Sequence, residues 1–168
     1  MVEVEVLLTM KRLLIISVTL LLLLAACGKE PAMATLANPV PDQEMTASKD
    51  GLSLTLDEEY FVGSPAVIKT DVTNNSSADY RLGEFYHIEV MKDNQWYIIT
   101  YSDTVFLKNP AFKDFGSVLI AGGEAHQEFS VDALGVLLIP GNYRLVKTFL
   151  AKEEPMHEQS VAVPFTVE

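Results

Sequence analysis

The stretch "LLIPGNYRLVKTFLA", residues 137–151, sets the reading of the chain. Pro140 and Gly141 mark a turn, since proline presets φ and glycine takes the backbone angles that tight turns require. A strand over 142–151 follows. The same two signals, short extended runs and turn residues between them, recur on both sides.

Upstream, Leu52, Leu54 and Leu56 alternate with Ser53 and Thr55, which is the period of a strand with one buried face. Ile68, Thr70 and Val72 share one face of a second strand, which stops at Asn74, Asn75 and Ser76. Tyr86, Ile88 and Val90 share a face of a third; "KDNQ" then makes a hairpin into residues 96–101. Further strands are expected over 117–120, stopped by Gly122 and Gly123, and over 125–131. The last, over 160–167, carries Pro164 and is expected at a sheet edge, because proline cannot donate to a ladder. No stretch sustains a helical period. Seven to nine short strands with turns at such spacing predict an all-β, two-sheet sandwich over residues 51–168.

The order of "GLSLTLDEEYFVG", "VIKTDVTNNSS", "DNQWYII", "FKDFGSVLIAGGEAHQEF" and "LIPGNYRLVK" resembles a bacterial immunoglobulin-like domain of the kind found in surface proteins of Gram-positive bacteria. The resemblance runs from Gly51 to about Phe149. It implies an immunoglobulin-like sandwich and no reaction, since such domains are usually non-enzymatic modules. Tyr143, at the entry to its strand, then stands as a tyrosine corner, whose hydroxyl bonds back to the backbone.

The amino-terminal part carries a different signal. Lys11 and Arg12 precede residues 13–24, which are apolar except for Ser17 and Thr19. A span needs about 20 apolar residues, so this run is too short to cross a bilayer. It has the length of a secretory h-region. Leu24, Ala25, Ala26 and Cys27 resemble the lipobox of bacterial lipoproteins, a family in which the cysteine sulfur receives a diacylglyceryl group and the peptide is cut just before it. An ordinary secretory signal with a free thiol and an uncleaved anchor are the alternatives. Residues 1–26 are therefore expected to be a lipoprotein signal peptide. Because Glu3 and Glu5 stand where such a signal should be positive, translation is expected to start at Met10. Two acyl chains hold a protein to a membrane where one is marginal, so the location expected is the extracytoplasmic face of the cell membrane. Residues 27–50, with Pro31, Pro39 and Pro41 and no sustained apolar period, read as the lipidated cysteine and a flexible linker.

Charge and composition exclude several classes. The formal net charge is −11, and Glu3, Glu5, Lys11 and Arg12 cancel within the signal, so a mature chain keeps that charge. Such a surface disfavours nucleic acid, whose binding needs basic groups against phosphates. Cys27 is the single cysteine, so once it is lipidated no thiolate zinc site, disulfide or cysteine nucleophile can form. There is no phosphate-cradling glycine loop, no histidine-glutamate zinc motif and no nucleophile elbow. Ser117, Ser130 and Ser160 come with no cue for a triad. No enzyme and no cofactor are expected.

The candidate binding residues lie in and beside residues 102–116, the longest irregular connection, with Phe106, Phe112 and Phe115. Such loops often carry function; the competing reading is that the phenylalanines plug the sandwich. Trp96 and Tyr97 point to opposite faces of a regular strand. Trp96 is expected in the core, with an aromatic platform for a peptide or sugar as the alternative. Glu153, Glu154 and His157 crowd a turn, a weak metal candidate whose spacing matches no closed ion loop. His87 and His126 read as surface or satisfied positions. The function expected is a membrane-anchored binding module for a protein or cell-envelope partner. A protease inhibitor presenting a loop, and a metal- or small-molecule-binding lipoprotein, are the alternatives. Labelled palmitate should enter the wild-type chain and fail to enter a Cys27→Ser variant; incorporation into the variant would overturn the lipobox reading.

Overall fold

The computed structural model describes residues 32–113 and 116–168. Leu24, Ala25, Ala26, Cys27 and Phe115 lie outside the described residues. Met33–Glu168 form one compact unit.

Among the described residues eleven strands build two sheets. The smaller joins β1 (Ser48–Lys49), β2 (Leu52–Leu56), β4 (Val67–Asn74) and β9 (Glu124–Ser130), in the order β1-β2-β4-β9. The larger has the path β3 (Tyr60–Phe61), β11 (Glu158–Val167), β10 (Gly141–Ala151), β5 (Tyr80–Leu82), β8 (Ser117–Leu119). To it belong also β6 (His87–Lys92), which pairs with β10, and β7 (Gln95–Ile98), which pairs with β6. The fold is an all-β sandwich which, among the described residues, carries one short α-helix, α1 (Thr104–Lys108).

Strand β10 is the centre of the larger sheet. One edge pairs with β11 from Gly141↔Val167 to Leu150↔Glu158. The other edge pairs first with β6, from Tyr143↔Val90 to Val146↔His87, and then with β5, from Phe149↔Leu82 to Ala151↔Tyr80. Its inward residues Tyr143, Leu145 and Phe149 meet Leu52, Leu54, Ile68, Val72 and Phe129 of the smaller sheet in one core. Asp93 and Asn94 both take positive φ at the β6–β7 turn, the conformation that suits a two-residue hairpin.

Pro164 sits on β11, which is second from the edge by strand order. Ala162 and Thr166 donate their N–H groups away from β10, to Thr46 and Glu59 at 2.8 Å each. By alternation the missing N–H of Pro164 falls on that same outer side, between those two contacts, so it costs the β10 ladder nothing.

The expected flexible linker is corrected from Met33 onward. Residues 33–46 are laid against the domain by backbone pairing: Thr100 N–H donates to Ala34 O, Leu36 N–H to Ile98 O and Val40 N–H to Trp96 O, all at 2.9 Å. Proline content suppresses periodicity but leaves these backbone groups free to pair, which composition does not reveal. The segment covers the outer face of the larger sheet, so Arg144 and Glu89 there are buried. Arg144 Nε donates to Glu89 Oε2 at 2.5 Å, and its Nη1 and Nη2 donate to the carbonyls of Gln43 and Asp42 at 3.3 and 2.6 Å.

Trp96 is corrected too. It lies on this outer face, half-buried, with the Arg144 guanidinium 4.8 Å from its ring centre. Tyr97 is the one that packs against the core. The two do point to opposite faces, but both faces of this sheet are covered, so the larger aromatic was free to take either.

Replacing Arg144 by Met leaves the Glu89 carboxylate buried beside an apolar chain, and should destabilise the fold by about 3–5 kcal/mol. Adding Glu89→Leu should restore most of the loss. Urea unfolding of the single and double variants checks both.

Candidate functional site

Residues 102–113 fold back on the sandwich. Val105 N–H donates to Ser102 O, and Asn109 N–H to Val105 O, each at 2.9 Å, which makes one turn of helix; residues Pro110–Lys113 continue as a 3-10 turn. The phenylalanines point in. Phe106 lies 5.5 Å from Phe85 and 6.1 Å from Tyr101, and Phe112 lies 5.7 Å from Phe85 and 6.5 Å from Phe129 on β9. They close the lateral seam between β9 of one sheet and the β5–β6 side of the other. Phe106 and Phe112 are therefore brought together as a plug. Trp96 is on another face and Tyr97 is turned inward, so among the described residues these side chains form no single aromatic platform; Phe115 lies outside them.

What this segment leaves outside is Leu107, 75 % exposed, with Lys108 and Lys113. Lys108, Asn109, Asp132 and Gly135 help line a shallow groove of about 400 Å³ beside it.

The histidines and serines do not meet. His87 Nε2 contacts Glu89 Oε1 at 3.0 Å, His126 Nδ1 contacts Asp71, and His157 Nδ1 contacts Pro155 O at 3.1 Å. Ser130 Oγ accepts from Ala133 N–H, and Ser160 Oγ shares a hydrogen bond with Thr148. Glu153, Glu154 and His157 are exposed at the β10–β11 turn, and among the described residues no three metal-ligating side chains converge.

Two polar arrangements that sequence reasoning missed hold the seam. At one, Lys147 of β10 is fully buried on the inner face. The β5–β6 edge spends four residues, 83–86, where β10 spends two, and the resulting bulge turns carbonyls inward. Lys147 Nζ donates to Gly83 O and to Phe85 O and sits 4.0 Å over the Tyr86 ring. Tyr86 OH donates to Gln127 Oε1 at 2.9 Å and meets Thr70 Oγ1 at 2.8 Å, while Gln127 Nε2 reaches Gly83 O at 3.1 Å. Burial lowers the Lys147 ammonium to about 7, against a smaller upward pull from Glu84. Burial also raises the Tyr86 hydroxyl. At the other, buried Asn74 donates to the carbonyls of Ala78, Leu119 and Ile120 and accepts from Ser76. Tyr143 OH donates to Ile139 O at 2.6 Å, four residues upstream, and burial pushes its hydroxyl up to about 12.

Three strongly exposed apolar side chains stand at the end where β10 begins. Val62 is 98 % exposed, Leu137 76 % and Tyr60 73 %. Leu138 N–H donates to Ser64 Oγ at 3.0 Å and Gly63 N–H to Glu168 O at 2.8 Å, which brings the two loops together. Asp57, Glu58, Glu59 and Glu168 border them. The sequence cue was consecutive apolar residues, Tyr60 to Val62 and Val136 to Ile139, of which alternation can bury only some.

A family model described as a bacterial Ig-like domain matches residues 48–166, more than half of the chain. No curated protein matches it.

Between pH 7 and 10 the unfolded chain holds a proton on Lys147 that the folded chain gives up, so stability should rise with pH across that window. Below pH 7 both states are protonated and this contribution is flat. The urea midpoint should climb from pH 7 to 9.5, and Lys147→Met should remove the climb.

Proposed function

Because the chain belongs to the bacterial Ig-like domain family, we propose that it is a lipoprotein held by Cys27 on the extracytoplasmic face of the cell membrane, where it docks an envelope protein without catalysing a reaction. The family is typically non-catalytic. The lipobox at residues 24–27 supports the anchor, and the acidic balance argues against nucleic acid as ligand.

The observation that carries the docking reading is the cluster of Tyr60, Val62 and Leu137. Scattered exposed apolar residues are ordinary, but several close together with a polar rim mark interaction surfaces. The backbone beneath them is fixed by β3 pairing with β11 at Thr166↔Tyr60 and Val167↔Phe61. A rigid backbone loses little entropy on association. The bordering carboxylates select a partner with a basic rim around an apolar centre.

A photo-crosslinking residue at Val62 should capture one discrete protein in intact cells, and the same residue at Thr55, on the outer face of the smaller sheet, should not. Val62→Asp should reduce capture from a probe at Leu137. Equal capture at Val62 and Thr55, or none at either, would remove this surface as the docking site.

A further inference from the structure

We infer that α1 and the turn after it rest on the bilayer itself, with Leu107 among the lipid headgroups and Lys108 and Lys113 against anionic lipid. The inference deepens the lipoprotein reading and rests on it.

Its first support is the length of chain left between anchor and domain. Met33 already belongs to the folded unit: its carbonyl accepts from Lys92 Nζ at 2.6 Å, and the next carbonyl, Ala34 O, accepts from Thr100 N–H at 2.9 Å. Only residues 28–32 separate Met33 from Cys27. Six Cα steps of at most about 3.6 Å reach about 20 Å. A 23-residue flexible linker would have given a root-mean-square span of roughly 25 to 30 Å and left orientation free. With the docked segment, whatever surrounds Met33 must face the lipid.

The second support is what lies there. Thr100, which holds Ala34, leads through Tyr101 into α1 four residues later. Over residues 103–114, "DTVFLKNPAFKD", two lysines stand against two aspartates. The whole chain carries 23 Asp and Glu against 12 Lys and Arg, so this stretch is neutral in an otherwise acidic chain. Leu107 is turned to solvent while its neighbours Val105 and Phe106 turn inward. Lys92, beside Met33, adds a third cation. An apolar tip flanked by lysines is the chemistry that a headgroup layer with anionic lipid accepts.

The opposite arrangement is penalised. The β10–β11 turn carries Glu153, Glu154 and Glu158 at the far end of an eleven-residue strand, about 35 Å from its start. Anionic headgroups repel that tip, which turns it away from the bilayer.

Cys27 is the single cysteine, so in the lipidated full-length protein Leu107→Cys or Met156→Cys supplies one free thiol for an environment-sensitive dye. In vesicles of phosphatidylglycerol and phosphatidylcholine, a quencher carried on lipid headgroups should quench the dye at position 107 several-fold more than at position 156. Lys108→Glu with Lys113→Glu should shrink that difference, with an unchanged circular dichroism spectrum. Equal quenching at the two positions, or more at 156, overturns the inference while flotation with vesicles keeps the lipoprotein reading. Flotation of Cys27→Ser equal to wild type would remove both. A dye at 107 that is unquenched in vesicles but crosslinks to a protein in cells assigns the surface to that protein and also overturns it.

Discussion

Strand β10 is enclosed through its middle: residues 143–146 are paired along both edges and buried on both faces. Few strands of a two-sheet sandwich meet that condition, because the outer face of each sheet is ordinarily wet and alternation puts polar residues there. Here Arg144 and Val146 are as buried as Tyr143, Leu145 and Lys147. The inner face is covered by the smaller sheet. The outer one is covered by residues 33–46. Burying a guanidinium leaves a charge that must be matched, and the matching fixes what surrounds it. Glu89 on the neighbouring strand takes one nitrogen, carbonyls of Asp42 and Gln43 take the others, and Trp96 stacks on the plane. The amino-terminal segment is thus part of the folded unit, since its carbonyls complete the coordination of a buried cation.

The inner face poses a matching problem at Lys147 and solves it with backbone. An ammonium in the core needs acceptors, and a regular strand pair offers none, because every carbonyl is spent on the ladder. The two extra residues in the β5–β6 edge free the carbonyls of Gly83 and Phe85 for it. The same four-residue excursion carries Tyr86, whose hydroxyl reaches Thr70 and Gln127 of the smaller sheet. One bulge therefore satisfies a buried charge and ties the two sheets by hydrogen bonds. Residues 102–113 then lay Phe106 and Phe112 over that seam.

These arrangements decide how much of the molecule was legible in its sequence. Strands with one wet face, such as β2 and β4, announce themselves by alternation, and the β6–β7 turn is written in Asp93 and Asn94. The sandwich followed from those. Strand β3 has two residues and β5 three, too few for any period to register. The α1 turn has five, less than two helical turns, and its one buried residue gives no pattern. Trp96 was misplaced because alternation separates two faces without saying which is covered. The docked segment 33–46 was misread because its hold on the domain is made by backbone groups and by Arg144, a residue about a hundred positions away. Lys147 gave no warning, since nothing in its neighbours distinguishes a buried lysine from a solvated one.

The surfaces proposed for docking are legible only by subtraction. Val62, Leu107 and Leu137 stand in apolar runs beside Phe61, Val105 and Leu138, and by composition the exposed and buried members are alike. Only packing separates them, because a turn or a single helical coil cannot bury consecutive side chains. Each run therefore ejects a residue, and where it is ejected depends on backbone geometry set by distant pairings: β3 on β11 for Val62, the Ser64 to Leu138 hydrogen bond for Leu137, the phenylalanine plug for Leu107. The sandwich thus fixes its apolar points in space with the rigidity of the core that holds them. On the proposed reading, recognition would come from the placement of a few side chains, with no pocket to form before a flat surface is engaged.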